Sequence, residues 1–217
     1  TAGFGRAMAV NHLMVLMLKN KVIGTLGKPI FDMDYITASA SATPNRWADD
    51  IYSRPMTKEE IKEIVEAFAK TAKLCMDAGV DGVEIHGANG YLLQQFFNDT
   101  SNTRNDEYGG TIENRARILF DILDAFKGVI DYNKVGIRLS PSLNGLFGIT
   151  MDETTIPTHD YIVNKLNDYG LAYLHLTEPF VPVDHLPFAV KEIAKHYRPI
   201  YKGTLIINRG FNKETAT

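Results

Sequence analysis

The sequence predicts an α/β fold whose parallel βα units close into a (β/α)8 TIM barrel, incomplete in this chain. Three observations carry that expectation. From Asp81 onward, short apolar runs alternate four times with longer runs of helical spacing. The long polar loops follow the strands, whereas the returns from helix to strand are short. The chain has 217 residues, fewer than the roughly 250 that a whole barrel takes. Five or six strands are expected in one partial-barrel domain spanning 1–217, with the clear βα units in 57–217.

The elements follow in order. Residues 1–6 read as a strand end with a glycine turn, and 11–43 show no clear period. Residues 45–55 are polar and read as a surface loop, with Trp47 a half-buried anchor. Thr57-Lys58-Glu59-Glu60 is a capping box, in which hydroxyl and carboxylate close each other's free amides. Ile61, Ile64, Val65, Phe68, Ala72, Cys75 and Met76 then keep helical spacing up to Gly79. A strand is expected over 81–86, a helix over 111–130 and a strand over 134–139. A helix over 157–169 stops at Gly170, and a strand over 171–176 holds His175 as a core histidine. A further helix lies within 184–197, and a last strand covers 203–207.

Composition narrows the function. Charged and apolar contents are ordinary for a globular protein, and the net charge of −3 carries no nucleic-acid footprint. Cys75 is the single cysteine, so no disulfide forms within the chain, which suits a reducing compartment and a cytoplasmic protein. Its position in a helical pattern favours a small core residue over a redox thiol. No apolar run is long enough to span a bilayer; residues 13–18 are apolar but stop at Lys19-Asn20-Lys21.

The chemistry concentrates in Asp81-Gly82-Val83-Glu84-Ile85-His86-Gly87-Ala88-Asn89-Gly90-Tyr91. Val83 and Ile85 share one face of a buried strand, which ends in a glycine turn. His86, Asn89 and Tyr91 therefore sit just past a strand's C-terminal end, where α/β folds place their sites. His86 and Asn89 each offer an N–H donor, and two donors on one carbonyl oxygen stabilise the charge that builds there. One such donor is worth roughly 3–4 kcal/mol of barrier. Tyr91 adds a phenol, a candidate general acid. The other reading makes His86 and Asn89 a helix cap and Tyr91 packing. Asn102, Arg104, Asp106 and Tyr108 offer ligand contacts in the 98–110 loop, but an internally bonded loop is the favoured reading. Arg138, in a strand otherwise built for burial, needs an anionic or hydrogen-bonding partner.

Five motifs in order extend the stretch around His86: Tyr91-Leu92-Leu93-Gln94-Gln95-Phe96-Phe97, Asn102-Thr103-Arg104-Asn105-Asp106-Glu107-Tyr108-Gly109-Gly110, Glu113-Asn114-Arg115-Ala116-Arg117, Val135-Gly136-Ile137-Arg138-Leu139-Ser140-Pro141 and Leu171-Ala172-Tyr173-Leu174-His175-Leu176. Over 57–211 the series resembles the Old Yellow Enzyme family of FMN-dependent ene-reductases. The resemblance implies an FMN enzyme that uses NAD(P)H to reduce the C=C bond of a small-molecule enone. It implies that His86 and Asn89 hold the carbonyl oxygen, that Tyr91 gives the proton, and that Arg138 contacts the flavin ring. Gly210 matches one glycine of a turn that meets the FMN phosphate, while Arg209 replaces the other and either meets phosphate or blocks the turn. Gly3 stands where the family has a histidine. By the resemblance the first two strands and the eighth fall outside this chain, which leaves self-association or a complementing chain as expected partners, and neither nucleic acid nor membrane. Two rivals stay open: an iron–sulfur dienoyl-CoA reductase of similar barrel, and a non-catalytic barrel module for binding or oligomerisation.

Overall fold

The computed structural model describes residues 38–42, 44–45, 48–145 and 149–214. The expectations for residues 1–37, Gly3 among them, and for Trp47 lie outside the described residues. The described chain opens with short strands: β1 (Ala38–Ser39), β2 (Pro44–Asn45), β3 (Ala48–Tyr52) and β4 (Arg54–Pro55). β2 pairs antiparallel with β3, and β1 pairs in parallel with β4. Residues 45–55 are thus not the surface loop that their composition suggests. Backbone pairing in a short hairpin leaves no mark in composition, because Pro, Asn and Asp read as loop residues wherever they stand.

Helix α1 (Lys58–Asp77) forms as its capping box predicts: Thr57 Oγ1 accepts from the Glu60 amide at 3.1 Å and Glu60 Oε2 from the Thr57 amide at 3.0 Å. Ile61, Ile64, Val65, Phe68 and Ala72 form its buried face, while Cys75 is half-buried. There follow β5 (Val83–Gly87), α2 (Leu92–Phe97), α3 (Ile112–Phe126), β6 (Val135–Leu139), α4 (Thr155–Lys165), β7 (Tyr173–Thr177), α5 (Ile193–Tyr197) and β8 (Leu205–Asn208). The helix within 184–197 is only five residues long. Pro187 interrupts the preceding stretch, and the short helix is capped from outside: Glu178 accepts from the amides of Ile193 and Ala194 at 2.9 and 3.2 Å.

β5, β6, β7 and β8 form one parallel sheet in that order, each neighbouring pair joined through helix. Four barrel strands, rather than five or six, stand among the described residues. One sheet face carries Val83, Ile85, Val135, Ile137, Leu139, Leu174 and Leu176, buried in one core with α1, α3 and α4. Each such side chain contributes about 1.5–3 kcal/mol by leaving water. The alternate positions, Glu84, His86, Arg138, Tyr173 and His175, share the opposite face and are half-buried. Helices cover one face of a curled parallel sheet and polar groups occupy the other, as in part of a TIM barrel. Among the described residues no helix is long and apolar enough to cross a membrane.

Candidate active site at the ends of β5 and β6

His86 is the penultimate residue of β5, and the chain leaves the strand by a turn in which Asn89 and Gly90 are both left-handed, at φ 57° and 73°. Asparagine tolerates that region better than other side-chain-bearing residues, and glycine adopts it freely. Tyr91 then forms the N-cap of α2. Two glutamines of α2 hold the turn. Gln94, fully buried, accepts from the Gly90 amide at 2.9 Å and donates to the Ser140 carbonyl at 3.0 Å. Gln95 donates to the Gly90 carbonyl at 2.9 Å and accepts from Ser39 Oγ at 2.5 Å.

Sheet register sets His86 beside Arg138, and Arg138 beside His175. The His86 and Tyr91 ring centroids lie 5.3 Å apart, tilted by 57°. Ser140, one residue past β6, donates from Oγ to Asn89 Oδ1 at 3.1 Å. His86, Asn89, Tyr91 and Arg138 are therefore gathered at the C-terminal ends of two adjacent parallel strands. Arg138 Nε is buried without a hydrogen-bond partner among the described residues. A buried guanidinium nitrogen in that position calls for an acceptor from a ligand.

One layer deeper lies a polar group that corrects the reading of His175 as a core histidine, since its side chain is half-buried on the polar face rather than packed in the apolar core. His175 Nδ1 lies 2.9 Å from Glu84 Oε2, and the Tyr173 hydroxyl bonds to the same carboxylate. Tyr173 reaches it by crossing Gly136, where a Cβ would stand 2.3 Å from the tyrosine ring. Burial pushes the Glu84 pKa up, but the bonds from His175 and Tyr173 and the charges of His175 and Arg138 outweigh it. The carboxyl therefore titrates below its ordinary value and is ionised at neutral pH. The period-2 spacing of Glu84 with His86, and of Tyr173 with His175, was the available signal; these polar residues alternate with a buried apolar set. His175 is satisfied at one nitrogen only, since its Nε2 is buried without a partner among the described residues.

The 98–110 loop is internally bonded, as favoured. Asn102 Nδ2 donates to the carbonyls of Phe96 and Tyr108 at 2.8 and 2.7 Å. Arg104 pairs with Asp106 and donates to the carbonyls of Ala40 and Met56. Tyr108 donates to Asp121 at 2.9 Å; burial and that carboxylate push its hydroxyl up to about 12. Arg115, 2% exposed, ties the rim together by bonding Phe97, Asp99, Gly110, Thr154 and Thr158. Its helical spacing had given no hint of this.

Arg209 and Gly210 lie past β8, two strands away from Arg138 across the sheet. Both are left-handed, at φ 78° and 76°. Arg209 thus adopts a glycine-like backbone, and its guanidinium folds away, donating to the carbonyls of Pro179 and Phe180 and stacking on Phe180 at 4.3 Å. The Arg209–Gly210 turn keeps the left-handed backbone of a glycine pair. It borders an open cleft of about 360 Å³ lined by Glu178, Lys191 and Lys195 as well.

Parallel strands covered by helices on one side, with polar side chains gathered at the strand ends on the other, define part of a barrel of the TIM class. The sequence profile of the NADH:flavin oxidoreductase / NADH oxidase family matches residues 30–217, and the chain belongs to that family. It is 37% identical over 167 residues to 12-oxophytodienoate reductase 1 of Oryza sativa subsp. japonica, covering 76% of this chain and 43% of that protein. The fold matches the old yellow enzyme homologue of Zymomonas mobilis with a TM-score of 0.75 at 29% identity, over 84% of this chain and 53% of that one. It matches morphinone reductase in complex with tetrahydroNAD with a TM-score of 0.72 at 33% identity, over 84% and 52%. The chain spans about half the length of these relatives. The orphaned Arg138 nitrogen above the inner face fits the family's flavin.

Proposed function

We propose that the protein carrying this chain is a cytoplasmic, FMN-dependent enzyme that uses NAD(P)H to reduce the C=C bond of α,β-unsaturated carbonyl compounds. The observation that carries the reading is the joint placement of His86 at the end of β5 with Asn89 and Tyr91 on the turn that follows, beside Arg138, whose buried Nε lacks an acceptor among the described residues. Arg138 would hold the electron-rich N1–C2=O edge of the flavin, and the Arg209–Gly210 turn its phosphate. FMN, when bound, supplies the hydride that reaches the substrate's β-carbon, after reduction by NAD(P)H. His86 and Asn89 grip the carbonyl oxygen, which draws electrons from the conjugated bond and makes the β-carbon electrophilic. Tyr91 delivers a proton from its hydroxyl to the α-carbon. The relatives named above are about twice as long, so the remaining barrel comes from further sequence, from a complementing chain or from self-association.

Tyr91→Phe separates the two half-reactions. Alkene reduction should slow by about a hundredfold, the low end for a lost general acid, while reduction of bound flavin by NAD(P)H stays close to normal. Equal loss in both, read by stopped-flow absorbance, would contradict the assigned proton donor.

A further inference from the structure

The amide of Asn89 has one donor end and one acceptor end, and only Nδ2 can grip a carbonyl oxygen. Its left-handed backbone sets where the side chain begins, not which way the amide faces. Ser140 decides that. Its Oγ donates to Asn89 Oδ1 at 3.1 Å, and at 1% exposure little water competes for the contact. The two ends of an amide point apart, so engaging Oδ1 leaves Nδ2 facing away from Ser140 as a donor. Ser140 is itself anchored, because its carbonyl accepts from Gln94 Nε2 and the other end of Gln94 accepts from the Gly90 amide. The buried glutamine thus ties the turn bearing Asn89 to the strand end bearing Ser140.

We propose that Ser140 is a positioning residue that sets the orientation of the Asn89 amide, and through it one of the two donors that hold the substrate oxygen. This rests on the reading of Asn89 as a carbonyl donor. A hydroxyl that only filled space would not care which way the amide points; one that aims it acts through Asn89 alone. That difference is measurable by a double-mutant cycle.

The probe is 4-hydroxybenzaldehyde, whose phenolate oxygen stands in for the substrate carbonyl, titrated calorimetrically into the FMN-loaded protein. Asn89→Ala and Ser140→Ala should each weaken binding by about tenfold, the worth of one good hydrogen bond. The double variant should bind no more weakly than Asn89→Ala, because Ser140 has nothing left to aim. Full affinity in Asn89→Ala would overturn the donor reading itself. Weakened binding in Asn89→Ala with full affinity in Ser140→Ala would overturn the positioning role while leaving the donor in place. Losses that add in the double variant would also overturn it, since a general disturbance of the fold adds regardless of Asn89.

Discussion

Replacing Arg115 by methionine tests how the rim of the site is held. The arginine lies on α3 with its side chain 3% exposed. It donates to the buried Phe97 carbonyl at 3.0 Å, to Gly110 at 2.5 Å, and to the hydroxyls of Thr154 and Thr158 at 3.0 and 2.8 Å. It also pairs with Asp99 at 3.0 Å, but that carboxylate is half exposed and water can replace the partner. The threonine hydroxyls keep other bonds, to Asp152 and to the Thr154 carbonyl. The Phe97 carbonyl has no such substitute among the described residues, and leaving a buried acceptor unpaired costs about 1–3 kcal/mol. Methionine fills most of the volume and recovers some apolar burial, while the ordering of the 98–110 and 152–154 segments is lost. The net expectation is about 2–4 kcal/mol of destabilisation. Urea unfolding should show it as a lower midpoint with an unchanged slope. A loss under about 1 kcal/mol would mean that these carbonyls find other donors and that the arginine does not hold the loops.

Two further predictions concern the interior. His159 is fully buried, its Nδ1 2.8 Å from the Thr155 carbonyl and its Nε2 without a partner among the described residues, and burial lowers its pKa below 6.5. Below that pH the unfolded chain takes up a proton that the folded chain refuses, so stability should fall with falling pH by up to about 1.4 kcal/mol per unit; His159→Gln should flatten that slope, and identical slopes between pH 5 and 6.5 would contradict a neutral buried imidazole. Gly136→Ala would drive a Cβ into the Tyr173 ring and should cost about 1–3 kcal/mol. Thermal unfolding should show that cost shrinking in a Tyr173→Ala background, and an undiminished cost would place the clash elsewhere.

Much of this architecture was legible in residue order. The capping box at Thr57 and Glu60 and the apolar spacing of α1 are local signals, and they located the helix to within a residue or two. The His86–Tyr91 turn was legible because Gly87 and Gly90 tolerate backbone angles that other residues avoid, which lets a strand end in a tight turn. The loop of residues 98–110 was expected to be bonded to itself, and Asn102 and Arg104 bond within it. The hairpin of β2 and β3 was missed because pairing between short strands is not a property of either strand alone.

By itself, then, the sequence determined the parallel βα architecture and the gathering of His86, Asn89 and Tyr91 about one strand end, since both follow from periodicity and spacing along one segment, while the family was legible from the resemblance of its motifs. Only the tertiary structure decided what those side chains meet. Sheet register brings His86 beside Arg138, Tyr173 crosses Gly136 to reach Glu84, and Ser140 donates to Asn89 from 51 residues away. Such partners are set by how strands align and helices pack, and alignment across a sheet depends on every element that presses on it.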